Sequence, residues 1–177
     1  MHQQGEAVRV WDPFVRVFHW SLVLSYAVAW ASGEEWALLH ERVGYFMLAL
    51  IGLRVVWGLI GSRHARFSDF LAGPARTLAY LRSLRAGRPA HYDGHNPAGG
   101  WMVIALLLGL LAAAGSGLMI GGGEDDLWEE IHEGLAYMTV LLVVVHVSGV
   151  LAASLLHREN LVLAMLTGNK LRRDSHV

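Results

Sequence analysis

Residues 131–156, IHEGLAYMTVLLVVVHVSGVLAASLL, constrain this chain more than any other stretch. The run is long and apolar enough to cross a bilayer, whose ~30 Å of hydrocarbon takes about 20 apolar residues in a helix. It carries His132 and His146, fourteen positions apart. At about 100° and ~1.5 Å per residue, that spacing returns both imidazoles to one stripe, roughly 21 Å apart along the axis. Two histidines so far apart do not share one metal, but each can hold its own.

Three further runs have spanning length. Residues 14–32 contain His19, and Asp12-Pro13 before them reads as a helix cap and first turn. Residues 40–60 open on His40 and contain Arg54, again fourteen positions apart and so on one face. Residues 100–120 carry no histidine and no charge, and Gly109, Ala113 and Gly117 recur every fourth position. Small residues at that spacing let a neighbouring helix approach closely, so this run reads as a packing wall. Ala29-Trp30-Ala31 superficially resembles a signal-peptidase site, but the run is long for a signal sequence and reads as a span. Only 16% of the 177 residues are charged, against about 25% in soluble domains, and the mean hydropathy is +0.39. The fold class expected is all-α: an integral-membrane four-helix bundle forming one domain over residues 1–177. With no cysteine, disulfides, thiolate metal sites and iron–sulfur clusters are excluded.

The connections set the orientation. Residues 62–100 carry Arg63, Arg66, Arg76, Arg82, Arg85 and Arg88, and the tail carries Lys170, Arg172 and Arg173. The other two connections are acidic, with Glu34 and Glu35 in one and Glu124, Asp125, Asp126, Glu129 and Glu130 in the other. Basic residues stay on the cytoplasmic side, so both termini and the long connection are expected there. Within the long connection, residues 74–86 read as a short surface helix begun by Gly73-Pro74 and stopped by Gly87. Asn96-Pro97 reads as a second cap, and residues 159–166 as a short interfacial helix ended by Gly168.

This orientation matches the histidines in depth: His19 with His146 in the cytoplasmic half, and His40 with His132 at the outer side. Arg54 falls near the inner level. An ionisable side chain inside a membrane is a functional candidate by default. Bis-imidazole ligation of haem iron uses such pairs at low cost, since helix bundles hold cofactors between their spans. With both axial positions filled, such iron favours electron transfer over oxygen chemistry. Arg54 would neutralise a haem propionate, hold a quinone oxygen, or merely snorkel to the inner surface. The competing reading of each histidine is a hydrogen bond to a neighbouring helix. His64, His91, His95 and His157 read as solvated or headgroup-contacting, His2 and His176 as tail residues, and the tryptophans as interfacial anchors. Zinc transport is disfavoured, because the span interiors lack carboxylates.

Several stretches together carry a family likeness. They are Trp11-Asp12-Pro13-Phe14-Val15-Arg16 with Phe18-His19-Trp20; Leu39-His40 with Gly44-Tyr45; Leu53-Arg54 with Val56-Trp57-Gly58; Gly61-Ser62-Arg63-His64-Ala65-Arg66-Phe67; Gly94-His95-Asn96-Pro97-Ala98-Gly99-Gly100; and His157-Arg158-Glu159-Asn160. The chain resembles the bacterial cytochrome b561 family, particularly the branch akin to the cytochrome b subunits of nickel–iron hydrogenases. The resemblance implies two b haems, with His19, His146, His40 and His132 as axial ligands to iron. It also implies electron exchange with ubiquinone or menaquinone. The partner expected is a basic periplasmic c-type cytochrome, steered by the acidic outer face. A quinone-linked superoxide oxidase and a hydrogenase cytochrome subunit are the alternatives. The first is disfavoured because an anionic substrate would meet negative outer connections. No nucleic-acid partner is expected, and a homodimer is left open.

Overall fold

Capping residues decide where the helices start. In the computed structural model, which describes residues 6–33, 35–87, 90–120 and 125–172, Asp12 accepts a hydrogen bond from the Val15 amide (2.8 Å). Pro13 follows as the first residue of α1 (Pro13–Ser32). Asn96 likewise accepts from the Gly99 amide (2.8 Å) and Pro97 opens α5 (Pro97–Gly117). The remaining long helices are α2 (Ala37–Ile60) and α6 (Asp125–His157). All four are long and apolar enough to cross a membrane. Shorter elements complete the chain: β1 (Glu6–Arg9), a 3-10 turn (Arg63–Ala65), α3 (Phe67–Phe70), α4 (Pro74–Arg85), α7 (Leu161–Thr167) and β2 (Asn169–Arg172).

One boundary departs clearly from expectation. α6 begins at Asp125, so Asp126, Glu129 and Glu130 are its first turns rather than a connection. Carboxylates are favoured there because they face the positive end of the helix dipole. Glu34, Arg88, Glu124, Arg173, His2 and His176 lie outside the described residues.

Residues 6–9 of the polar lead and 169–172 of the basic tail pair as an antiparallel ribbon, with Glu6 in register with Arg172 and Arg9 with Asn169. The pairing continues through the Val10 and Trp11 amides, both donating to the Gly168 carbonyl at 2.9 and 3.1 Å. Gly168 ends α7 at φ +87°, a conformation that disfavours side chains. A Cβ there would lie 2.8 Å from the Trp11 carbonyl, so glycine is required twice over. Val10, Trp11, Val15, Ala65 and Ala164 form a small core that plugs this end of the bundle, hereafter the sheet end.

Within the bundle, α1 packs on α2, α2 on α5 and α5 on α6. Phe18, Met47, Ile51, Leu107 and Leu110 fill the space shared by α1, α2 and α5. The Gly109 and Gly117 positions do what their spacing suggests: a Cβ on Gly109 would press on Leu142 and Thr139 of α6. α1 and α6 meet chiefly through long side chains. Tyr26 and the fully buried Thr139 share a hydrogen bond of 3.0 Å, and the Trp30 and Tyr137 rings meet at 5.6 Å.

After α2 the chain turns back into the bundle. Phe67 lies where a side chain on Gly58 would have to be, and the Phe70 carbonyl comes within 2.6 Å of an ideal Cβ on Gly100. Glycines on α2 and α5 thus admit the α3 segment between the two helices.

Candidate functional site

α2 and α6 bring His40 and His132 face to edge near the end carrying the acidic residues. Their ring centroids are 5.8 Å apart and the planes are inclined at 85°. Each ring is oriented from behind by a third helix. His40 Nδ1 lies 2.9 Å from the Ala29 carbonyl of α1. His132 Nδ1 lies 2.8 Å from the Ala113 carbonyl of α5 and 3.2 Å from Ser116 Oγ. A carbonyl can only accept, so Nδ1 carries the proton in both rings, and each Nε2 keeps its lone pair for another partner. Metal-binding histidines are held this way, by a main-chain oxygen on the non-ligating nitrogen. α5, read from sequence as a bare wall, therefore also supplies the oxygen that aims His132. Close packing makes this contact possible, since a Cβ on Gly117 would lie 3.2 Å from the His132 ring.

At the opposite level, α1 and α6 carry His19 and His146, close enough for their charges to interact. His19 Nδ1 is enclosed and has no hydrogen-bond partner among the described residues, and its ring meets Trp20 edge-on at 5.1 Å. An orphaned imidazole nitrogen inside a bundle is costly unless something present in the working protein uses it.

Arg54 of α2 sits near this second pair and is 3% exposed. Its Nη2 donates to the Ala65 carbonyl (3.0 Å), and its guanidinium lies 5.0 Å from the centre of the Phe67 ring. Nη1 is buried with no partner among the described residues. Side-chain length alone would let Arg54 reach the surface, but the infolded α3 segment covers it.

His95 departs from its surface reading. It is half-buried, held between Trp11 (centroids 4.6 Å) and Phe70 (4.7 Å), and its enclosed Nδ1 also lacks a partner among the described residues. Burial pushes this imidazole down to about 3, helped by the nearby charges of Arg54 and Lys170, so it is neutral at physiological pH. Its position within the long basic connection gives no sign of this, because the flanking rings come from the turn before α1 (Trp11) and from α3 (Phe70). The other surface histidines stay near water. His64 pairs with Asp69 at 3.0 Å, and His91 lies 3.5 Å from Glu159 and stacks edge-on with His157.

The donor set suits haem. The His40 and His132 rings meet at one level, His19 and His146 lie at the other, and among the described residues no cluster of three or more histidines and carboxylates gathers for a bare ion.

Comparison with known proteins agrees with this chemistry. Residues 10–168 match the family model described as prokaryotic cytochrome b561. A probable Ni/Fe-hydrogenase B-type cytochrome subunit of Cupriavidus necator is 23% identical, over 96% of this chain and 89% of its own. A protein of the same description from Rhizobium leguminosarum bv. viciae is also 23% identical, over 97% of this chain and 92% of its own. No solved structure matches significantly.

Proposed function

The chain belongs to the prokaryotic cytochrome b561 family, multi-pass membrane cytochromes of the b type that work in electron transfer, and we propose that it forms a single domain over residues 1–177 carrying two haems. His40 and His132 would hold one haem at the periplasmic side, and His19 and His146 the other at the cytoplasmic side, with Arg54 beside it. The observation that carries this reading is the His40–His132 pair, two rings 5.8 Å apart whose Nδ1 atoms are both held by main-chain carbonyls.

Bound haem supplies a one-electron iron centre. The protein's own part would be to offer that iron imidazole nitrogens, which favours electron transfer over oxygen chemistry, and to fix the His40 and His132 tautomers through Ala29 and Ala113. Thr139 lies midway between His132 and His146 in sequence, and its bond to Tyr26 ties α1 to α6 between the two levels. Electrons would thus pass between the quinone pool (ubiquinone or menaquinone) and a periplasmic redox partner. The acidic turns that open α6 favour a basic partner such as a c-type cytochrome. Both termini would be cytoplasmic in a bacterial inner membrane, as the arginines of the long connection require. The names of the relatives favour a second reading, in which the periplasmic partner is a nickel–iron hydrogenase.

Reduced-minus-oxidised spectra of the purified full chain test the assignment. Two low-spin b haems per chain are expected. His40→Ala and His132→Ala should lose the same haem, and His19→Ala and His146→Ala the other. A His19 and a His40 variant that empty one common site would reject the pairing.

A further inference from the structure

We propose that His95 and Arg54 together form a carboxylate-receiving pocket, with the enclosed Nδ1 of one and the unpartnered Nη1 of the other turned to a propionate of the cytoplasmic-side haem. The proposal rests on the two-haem reading above and deepens it by adding a residue outside the spans to the cofactor's surroundings.

Four observations converge. Arg54 is permanently charged and 3% exposed, yet among the described residues no carboxylate lies within ion-pairing distance of it. A buried cation without an anion is among the costliest arrangements in a protein. The nearest acid of influence, Asp12, is already occupied by the Val15 amide, Trp57 Nε1 and the Ser62 hydroxyl. Second, the cations Arg54 and Lys170 both lie within electrostatic reach of His95, and of the two only Lys170 has, among the described residues, a carboxylate beside it, Glu159 at 3.8 Å. Third, the two side chains belong to one unbroken aromatic stack. The Arg54 guanidinium lies over Phe67, Phe67 meets Phe70 at 5.8 Å, Phe70 meets His95 at 4.7 Å and His95 meets Trp11 at 4.6 Å. Fourth, the stack is admitted by glycines at 58 and 100, where any side chain would collide with Phe67 or Phe70. Such care in burying two nitrogen donors without partners calls for an oxygen anion. His146 is also within electrostatic reach of His95, which puts the corner beside the cytoplasmic-side histidines.

A guanidinium and an imidazole N–H suit a carboxylate better than a neutral carbonyl, because a charge-assisted hydrogen bond is the stronger kind. Near haem iron, such a cation favours the reduced state by offsetting the propionate charge.

Redox titration of the full-length haem-loaded protein, without added quinone, tests the assignment. The signal missing in His19→Ala identifies the cytoplasmic-side haem. Arg54→Gln and His95→Phe should each shift that haem's equilibrium roughly tenfold toward the oxidised form, about 59 mV for one electron. The other haem should not move. His95→Phe keeps the stack between Trp11 and Phe70, and His95→Gln restores a donor and should recover most of the shift. If His95→Phe loses haem wholesale, Arg54→Gln decides, expected to show the shift that Arg54→Lys does not; an unchanged potential in Arg54→Gln would then overturn the proposal. Unchanged potentials in both Arg54→Gln and His95→Phe would overturn the proposal. So would variants with normal potentials whose only defect is a raised KM for quinol, since the occupant would then be quinone. A wild-type protein without two b haems would instead overturn the two-haem reading itself, which the first spectrum reveals before any variant is made.

Discussion

Gly117 offers the sharpest test of how α5 positions His132. An ideal Cβ at this glycine would lie 3.2 Å from His132 Cε1 and 3.3 Å from Nδ1, whereas at Gly115, two residues earlier on the same helix, it would meet nothing within 4 Å. Gly115 lies within α5 and Gly117 is its last residue, so alanine should bring up to about 1 kcal/mol of helix propensity at the first and less at the second. Gly115→Ala should keep that gain. At Gly117 the added carbon presses on a ring whose Nδ1 is tied to the Ala113 carbonyl at 2.8 Å. Overpacking of this kind costs about 1–3 kcal/mol, and the ring can yield only by weakening that bond. Gly117→Ala should therefore run from neutral to about 2 kcal/mol destabilised, with partial loss of the periplasmic-side haem. Gly117→Val, whose branched side chain has nowhere to turn, should lose that haem completely and leave one per chain. The assay is the haem-to-protein ratio, with the reduced-minus-oxidised spectrum identifying which haem remains. If Gly117→Val retains both haems at wild-type potentials, the α5 backbone does not set the position of His132 and the ligand assignment fails with it.

Two further outcomes concern the sheet end. Burial alone would raise the Asp12 carboxyl, but hydrogen bonds from Ser62, the Val15 amide and Trp57 outweigh it and hold the group below its ordinary 3.8. A carboxylate depressed in the folded state stabilises above its unfolded value and loses that contribution as pH falls through the folded one. Acid unfolding of wild type below pH 3.8 should therefore be blunted in Asp12→Asn, which should itself cost about 1–2 kcal/mol at pH 7 in chemical denaturation. Gly168→Ala should cost about 1–3 kcal/mol, because it forces a side chain to φ +87° and sets a carbon 2.8 Å from the Trp11 carbonyl. Its signature should be accelerated proteolysis at both chain ends together, since the lead and the tail share one ribbon.

Periodicity made the spans legible, and local chemistry made their starts legible. Asp12-Pro13 and Asn96-Pro97 open α1 and α5 in the structure as they do on paper, because a cap is a contact between residues three apart. The start of α6 was misread because acidic residues suit both an outer connection and a helix N-terminus. The ribbon between residues 6–9 and 169–172 was invisible, since its pairing joins the two ends of the chain. His95 shows the same limit more sharply. Nothing within ten residues of it announces burial, and its two aromatic walls come from Trp11 and Phe70. The Nδ1 contacts of His40 and His132 were equally hidden, because main-chain carbonyls carry no sequence signature.

The seam between α1 and α6 gives these observations a common physical cause. Three seams of the bundle close by direct helix packing, while α1 and α6 touch through Tyr26–Thr139 and Trp30–Tyr137. In a bilayer no hydrophobic force draws two spans together, so a seam closes only by packing or by polar contact. On α6 both contacts are made by residues, Tyr137 and Thr139, that lie between His132 and His146 in sequence. Above and below, the imidazoles and Arg54 present polar groups that lipid cannot satisfy. A ligand with a flat apolar body, a metal at its centre and carboxylates at one edge answers all of these demands at once. In the proposed arrangement the cytoplasmic-side haem would act as a core side chain supplied from outside, and α1 and α6 would owe more of their association to it than α2 and α5 do.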